Sequence, residues 1–168
     1  MYMIEHPIPP VFDAHSEILI LGSFPSVKSR EYGFFYGHPS NRFWKVMRDV
    51  LGWPTLPQTT EEKKRLLLES HVALWDVIAS CEVTGSSDAS IRNAVPNDLR
   101  PILDTGRIKA VFCNGSTAYN LYMKLLLPSL GIQPVRLPST SPANASCRPE
   151  KLTAAWREAL MKVLSVKP

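Results

Sequence analysis

The side chains of this sequence that could do chemistry lie just after short apolar runs. Phe24 and Tyr36 offer rings on which a planar ligand could stack, while Asp76 and Asn114 offer a carboxylate and an amide for its edge. A further segment, 138–146, is stiffened by proline and rich in hydroxyl groups. The sequence has no P-loop, no G-x-G-x-x-G motif and no histidines at metal-ligand spacing. This combination favours a site that holds an uncharged planar ring.

Each of these features also has a plain structural explanation. The aromatic residues of segment 23–41, which is long for a loop, could form a small core beneath it. Asn41 and Asn114 could simply cap the helices that follow them, and Asp76 could belong to a structural ion pair. Segment 138–146 could be an ordinary proline–serine turn. Taken one at a time, the residues leave both explanations open.

Alternating strands and helices would position these segments. Apolar, β-branched runs predict strands at 17–22, 72–76, 108–113 and 134–137. Helical patterns lie at 40–51, 61–69, 97–103, 116–127 and 149–164. This order predicts an α/β fold with a parallel sheet that is covered on both faces. Ligands of such folds bind beyond the carboxyl ends of the strands, where the unusual segments lie.

Composition excludes several classes of protein. The 168 residues are 45% hydrophobic and 20% charged, which indicates one globular domain and excludes a disordered chain or a coiled coil. The net charge of +4 permits a polyanionic partner without establishing one. Three scattered cysteines argue against a disulfide framework and a four-cysteine metal site. With no signal peptide or membrane-span pattern, we expect a cytoplasmic protein with access to the nucleoid.

Several strings resemble motifs of the uracil-DNA glycosylase superfamily. GSFPS at 22–26, with GFFYGHPSNRFW at 33–44, looks like its first motif and is closest to the mismatch-specific branch. LPSTSPANAS at 137–146 falls where the superfamily carries its second motif, the loop that presses into the minor groove. ALWDVIASCEVTGSSDAS at 73–90, with FCNGS at 112–116, is similar to the hypoxanthine-DNA glycosylase family within it. The resemblance spans about residues 19–146.

The resemblance implies both a fold and an activity. The fold would be a three-layer α/β/α sandwich with a central four-stranded parallel sheet, and residues 1–168 would form a single DNA glycosylase domain. The activity would be hydrolysis of a base–deoxyribose bond in DNA, leaving an abasic site, with hypoxanthine the first expectation and uracil the second. We expect no cofactor and no metal, no membrane partner, and a monomer. No lysine lies in the motifs where a Schiff-base nucleophile would be needed, so we expect no strand cleavage.

The same resemblance suggests which residues meet the DNA. The target nucleotide must leave the base stack, and the rigid loop that includes Ser139, Ser141 and Pro142 would compress the backbone around it. Lys28 and Arg148 would neutralise phosphates. The expected DNA-binding residues are Ser26, Lys28, Ser139, Thr140, Ser141, Pro142, Asn144 and Arg148. Ser139 is also expected, with Asn41, in the catalytic group.

One position departs from the family pattern. Many members carry Asp or Asn just before the proline of the first motif to orient the attacking water, and here that residue is Phe24. We expect Asn41 to replace it, with its side-chain carbonyl accepting from water and its amide nitrogen anchored. Asp76 would accept from the N1–H of hypoxanthine, although a protonated Asp76 could donate instead. Asn114 would donate to O6, and Tyr36 or Phe24 would stack on the base.

Other functions also fit these residues. A protein that binds damaged DNA without releasing a base would have the same pocket with its chemistry lost through Phe24. A glycosylase specific for mismatched uracil or thymine would share the first motif. A hydrolase of free nucleosides would share the pocket, but would have no use for the proline–serine loop.

Overall fold

Two sheets and seven helices make up the described part of the chain. The computed structural model describes residues 2–83 and 91–165, so residues 84–90 of the ALWDVIASCEVTGSSDAS string lie outside the described residues. The elements, in chain order, are β1 (Tyr2–Glu5), β2 (Ile18–Gly22), α1 (Val27–Tyr32), α2 (Phe43–Leu51), α3 (Thr60–Glu69), β3 (Val72–Asp76), β4 (Ile78–Val83), β5 (Arg92–Pro96), α4 (Arg100–Leu103), β6 (Ala110–Asn114), α5 (Ser116–Leu125), α6 (Leu127–Leu130), β7 (Val135–Leu137) and α7 (Pro149–Met161).

The four predicted strands form the predicted parallel sheet. Its order is β3–β2–β6–β7, with every neighbouring pair parallel. The register sets Gly22 opposite Asp76 and Leu21 opposite Trp75 and Cys113, so the carboxyl ends of the strands meet at one edge. The fold class is therefore confirmed as α/β, with a central four-stranded parallel sheet between layers of helices.

Both faces of this sheet are buried, which explains why its strands are apolar at almost every position. Ile18 and Ile20 of β2 pack with α2, α3 and α7 on one face. Leu19 and Leu21, which point the other way, pack with α4, α5 and β4. The core is built on the two sides of one sheet, and the loops at its edge are left to carry the polar groups.

A second, three-stranded sheet was not predicted from the sequence. β4 pairs antiparallel with β1 and with β5, in the order β1–β4–β5. The strands predicted from the sequence include none over residues 77–83. β4 forms because β1, from a distant part of the chain, and β5 pair with its two edges, and because its buried side chains pack on the main sheet.

The helices follow the prediction with shifted ends. The predicted helix 116–127 divides into α5 and α6, and the predicted helix 97–103 shortens to α4. Segment 23–41 is not all loop, because it contains the short α1, whose first turn is capped by the hydroxyl of Ser26. No helix in the described ranges is long and apolar enough to span a membrane.

The buried carboxylate of Glu17 contacts three other parts of the chain near the amino ends of the parallel strands. Glu17 accepts from the backbone N–H of Ser165 at 2.8 Å and from the Ser165 hydroxyl, pairs with His71 Nδ1 at 2.9 Å, and lies 3.4 Å from Lys109 Nζ. Burial by itself raises the pKa of Glu17, but these hydrogen bonds and the Lys109 charge outweigh it and lower the pKa to about 2. The ionised form therefore stabilises the fold.

We predict that Glu17→Gln destabilises the protein at neutral pH by about 1–3 kcal/mol, the cost of disrupting a buried charged acceptor. Because the folded pKa of about 2 lies below the ordinary value of 4.5, the stabilisation is complete above about pH 5 and is lost as the pH falls towards 2. Urea unfolding of both proteins between pH 3 and 8 measures the difference. Glu69→Gln, which breaks an exposed pair with Arg65, is the control and should change stability by less than about 0.5 kcal/mol. A difference that does not shrink at low pH would contradict the assignment.

Candidate active site

A cavity of about 540 Å³ opens at the carboxyl edge of the parallel sheet, within the size range of small-molecule sites. It lies where β2 ends at Gly22, β3 at Asp76 and β6 at Asn114, and where the loop after β7 crosses them. All the residues expected to hold the base or act in catalysis line it, namely Phe24, Tyr36, Asn41, Asp76, Asn114 and Ser139. The structure thus brings together residues that are up to 115 positions apart in the sequence (139 − 24 = 115).

The residues expected to bind DNA divide into two groups. Ser26, Ser139, Thr140 and Ser141 line the cavity. Lys28, Pro142, Asn144 and Arg148 do not line it: Pro142 and Arg148 are exposed, and Lys28 is exposed beside Glu31. Asn144 lines a second depression of about 630 Å³ next to the cavity, with Ser139 on the shared wall.

Thr140, which the resemblance suggests as a DNA contact, has its side chain engaged inside the protein. It is completely buried, because its backbone and side chain join the second-motif loop to two asparagines. Its N–H donates to Asn114 Oδ1 at 3.0 Å, which fixes the orientation of that amide. Asn114 Nδ2 then donates to Thr140 Oγ1 at 3.0 Å, so the Thr140 hydroxyl donates to Asn41 Oδ1 at 2.9 Å.

The amide of Asn114 is fully used inside the protein. Its Nδ2 also donates to Tyr36 Oη at 3.1 Å, so both of its N–H bonds and its oxygen have protein partners. A donor to hypoxanthine O6 is therefore not available from Asn114 in this conformation, contrary to the expectation. What Asn114 does is hold Tyr36 and Thr140 in fixed positions on the cavity wall.

Asn41 has the opposite orientation to the one expected. Its Oδ1 accepts from the backbone N–H of Phe43 at 2.9 Å as well as from Thr140, and because Phe43 N–H can only donate, the atom facing it is the oxygen. Its amide nitrogen makes no hydrogen bond to any residue of 2–83 or 91–165. Asn41 can therefore donate into the cavity, but its carbonyl is not available to accept from water.

Arg42, which the sequence analysis did not single out, holds the second-motif loop. Its guanidinium donates to the carbonyl oxygens of Cys147 at 2.6 Å, Ser141 at 3.0 Å and Asn144 at 3.1 Å, with that of Ser139 at 3.5 Å. Its backbone N–H donates to Thr140 O at 3.0 Å. The string HPSNRFW marks this segment as part of the first motif. No local pattern in it indicates that the arginine points inward, towards a loop about 100 residues further along the chain.

Tyr36 lies on the wall in a strained conformation. Its φ of +54° is in the left-handed region, which costs a residue with a Cβ about 1–3 kcal/mol. One face of its ring stacks on Phe43, with ring centroids 4.1 Å apart and an interplanar angle of 20°. Phe24 likewise has the Arg30 guanidinium 5.7 Å from its ring centroid. Both rings line the cavity, as a stacking role requires.

Asp76 is paired with a histidine that the sequence analysis considered only as a metal ligand. His6 Nε2 lies 2.7 Å from Asp76 Oδ2, and the two side chains are 4% and 5% exposed. The other carboxylate oxygen, Oδ1, lies beside Gly22, where a Cβ would come within 2.4 Å of it. Asn97 Nδ2 donates to the backbone oxygens of Asp76 and Ile78 and fixes the corner between β3 and β4. His6 could not be predicted, because it belongs to an irregular segment 70 residues from its partner.

Three comparisons relate the chain to known proteins. The family model of the Uracil DNA glycosylase superfamily matches residues 9–165. A Methanosarcina acetivorans protein named hypoxanthine DNA glycosylase is 33% identical over 143 residues, which cover 84% of this chain and 89% of that protein. A Methanosarcina barkeri protein of the same name is 30% identical over 162 residues, which cover 95% of this chain and 100% of that protein. A solution NMR structure from Methanosarcina acetivorans, proposed to be a uracil DNA glycosylase, has a TM-score of 0.77 and 30% identity, and covers 94% of this chain and 98% of its own.

We predict that Arg42→Lys destabilises the protein by about 2–4 kcal/mol, because an ammonium cannot reach carbonyl oxygens spread around a planar guanidinium. Urea unfolding at pH 7 measures the change. Arg48→Lys is the matched control, because Arg48 lies in α2, the helix that begins directly after Arg42, and pairs with its neighbour Asp49; it should cost less than about 0.5 kcal/mol. Equal stability of the two variants would mean that solvent can replace the loop contacts of Arg42.

Proposed function

The chain belongs to the Uracil DNA glycosylase superfamily, and we propose that hypoxanthine is the base that it removes. It is a DNA glycosylase of base excision repair, a hydrolase that cleaves the N-glycosyl bond between a base and its deoxyribose. The choice of base is supported by two similar proteins named hypoxanthine DNA glycosylase and by the hydrogen-bonding groups of the cavity.

The observation that carries this choice is the Asp76 carboxylate on the cavity wall. Its Oδ2 is occupied by His6, and its Oδ1 lies beside Gly22, a residue that also lines the cavity. A carboxylate oxygen accepts hydrogen bonds, so it pairs with the N1–H of hypoxanthine and opposes the N1 lone pair of adenine. An unpaired buried polar group costs roughly 1–3 kcal/mol, or about 5- to 150-fold in discrimination. Uracil also carries a ring N–H, at N3, so we propose it as the second substrate.

The reaction that we propose is driven by departure of the base. The C1′–N9 bond breaks, its electron pair leaves with the purine, and the oxygen of a water molecule then bonds to C1′. The proton released by that water ends on the base or in solvent. In such a dissociative path, stabilising the leaving base matters more than activating the nucleophile. A path in which the base leaves before water attacks is consistent with this site, because neither Phe24, which precedes Pro25, nor the already bonded carbonyl of Asn41 can activate the water.

Asn41 would then act as a hydrogen-bond donor. Its amide nitrogen has no protein partner in the described ranges, while its oxygen is held by Phe43 and Thr140. A fixed N–H directed at the departing ring or at water would stabilise charge without having to reorganise during the reaction. Tyr36 and Phe24, whose rings both line the cavity, would stack on the base.

DNA is the partner that this activity requires. We propose that the target nucleotide is flipped from the duplex into the cavity while the loop around Ser139, Ser141 and Pro142 compresses the backbone. Lys28 and Arg148, both exposed, would contact phosphates, and Ser26 and Asn144 would contribute polar contacts near the cavity. We further propose that residues 1–168 act as one cofactor-free glycosylase domain, as a monomer in the compartment that holds the DNA, which is cytoplasmic in a prokaryote.

The first test of this function uses purified protein and duplex oligonucleotides that contain one deoxyinosine or one deoxyuridine, with deoxyadenosine as the control. We expect alkali-labile product from deoxyinosine, a slower reaction with deoxyuridine and none with deoxyadenosine. No strand break should appear without alkali. Binding to the deoxyinosine duplex without base release would instead support a damage-binding protein, and faster release of uracil than of hypoxanthine would contradict the proposed choice of base.

A second test separates the two possible roles of Asn41. Asn41→Asp keeps an oxygen for Phe43 and Thr140 but replaces the donor N–H₂ with a second acceptor. We therefore expect it to fold like the wild type and to release hypoxanthine about 10²-fold more slowly under single-turnover conditions, as for loss of a fixed donor. Asn41→Ala, which removes both groups, should be slower and also less stable. Activity of Asn41→Asp at or above that of the wild type would instead favour acceptance of a proton from water.

A further inference from the structure

We propose that His6 is a positioning residue for the substrate base, which it serves by holding Asp76 as a hydrogen-bond acceptor. This inference rests on the proposed function, because it concerns how Asp76 reads the N1–H of hypoxanthine. His6 comes from the segment between β1 and β2, outside the strings that suggested a site from sequence. Its contact with Asp76 nevertheless reaches the cavity wall directly.

The contacts of His6 define where its proton lies. The backbone N–H of Ile8 donates to Nδ1 at 3.2 Å, so Nδ1 carries a lone pair and no hydrogen. In a neutral imidazole the hydrogen then lies on Nε2, which faces Asp76 Oδ2 at 2.7 Å. His6 is therefore the donor and Asp76 the acceptor in this pair.

The surroundings of the pair strengthen this hydrogen bond. The rings of Phe24, Phe35 and Trp75 have centroids 5.8, 6.1 and 6.2 Å from that of His6, so aromatic groups surround the imidazole on several sides. With both side chains almost fully buried, water competes little for Oδ2. The carboxylate cannot rotate without losing a buried hydrogen bond, and Oδ1 stays next to Gly22 on the cavity side.

This arrangement gives His6 a role in choosing the base. A carboxyl group that keeps one oxygen on a donor presents the other oxygen as an acceptor, and the base must supply an N–H. Without the Nε2 donor, nothing would hold Oδ2, and the carboxylate could turn so that Oδ1 no longer faces the cavity as a fixed acceptor. Loss of that donor should therefore slow release of hypoxanthine and reduce discrimination against adenine.

Two conservative variants separate this role from a purely structural one. In His6→Asn the side-chain oxygen can replace Nδ1 as the acceptor for Ile8, but the side chain is too short to reach Asp76. In His6→Gln the amide nitrogen can replace Nε2 as the donor to Asp76. Single-turnover release of hypoxanthine is measured for both, with and without Asp76→Ala, and folding is checked by thermal unfolding.

We expect His6→Asn to be at least about tenfold slower than the wild type, as for loss of a charge-assisted hydrogen bond, and His6→Gln to stay within about fivefold. In the Asp76→Ala background, changing His6 to Asn should alter the rate by less than about twofold, because its effect passes through Asp76. The reverse order of the two variants, or losses that multiply, would overturn the inference while leaving an active wild type and its proposed function intact. A wild type that releases no hypoxanthine would instead overturn the proposed function itself.

Discussion

The inward-pointing guanidinium of Arg42 is the interaction on which the geometry of the site depends. It donates to main-chain oxygens of the loop that follows β7. This loop has no strand or helix of its own, and β7 before it is only three residues long. These contacts, together with those of Thr140 to the two asparagines, hold the backbone of segment 138–147 in one conformation. Because Thr140 belongs to this loop and bonds to Asn114 and Asn41, the position of both asparagines follows from that of the arginine.

The hydrogen bonds that begin at this loop fix the donors and acceptors of the cavity. Backbone N–H groups, which can only donate, orient Asn114, Asn41 and His6, so each side chain has one assignment. The result is a wall with an acceptor at Asp76 and a donor at Asn41, both set before any base arrives. Such preorganised groups need not reorient as charge develops, which is the property that makes them effective in catalysis.

The sequence allowed the parallel sheet and the composition of the cavity to be predicted, because both depend on local patterns. β2 and β3 are apolar runs that end at Gly22 and Asp76. Because ligands of parallel sheets bind beyond the carboxyl ends of the strands, the segments that follow these runs could be predicted to line the site. The antiparallel sheet, the inward turn of Arg42 and the His6–Asp76 pair depend on contacts between distant residues, which no local pattern records. The roles expected for Asn41 and Asn114 failed for a related reason, since the sequence does not say which amide atoms the protein already uses.

The pairing of Gly22 with Asp76 explains how this site can function with Phe24 before its proline. The two residues face each other in neighbouring strands, and the absence of a Cβ at Gly22 lets Oδ1 of Asp76 come close to the point where β2 ends. The carboxylate that lies near the first motif therefore comes from the neighbouring strand β3, and the buried imidazole of His6 donates a hydrogen bond to it. A carboxylate held in this way is anchored at the cavity wall as a hydrogen-bond acceptor, so the role that fits it is recognition of the base and not activation of water. In the reaction that we propose, the bond to the base breaks before water attacks, which is consistent with a first motif that offers no side chain at Phe24 to activate the water.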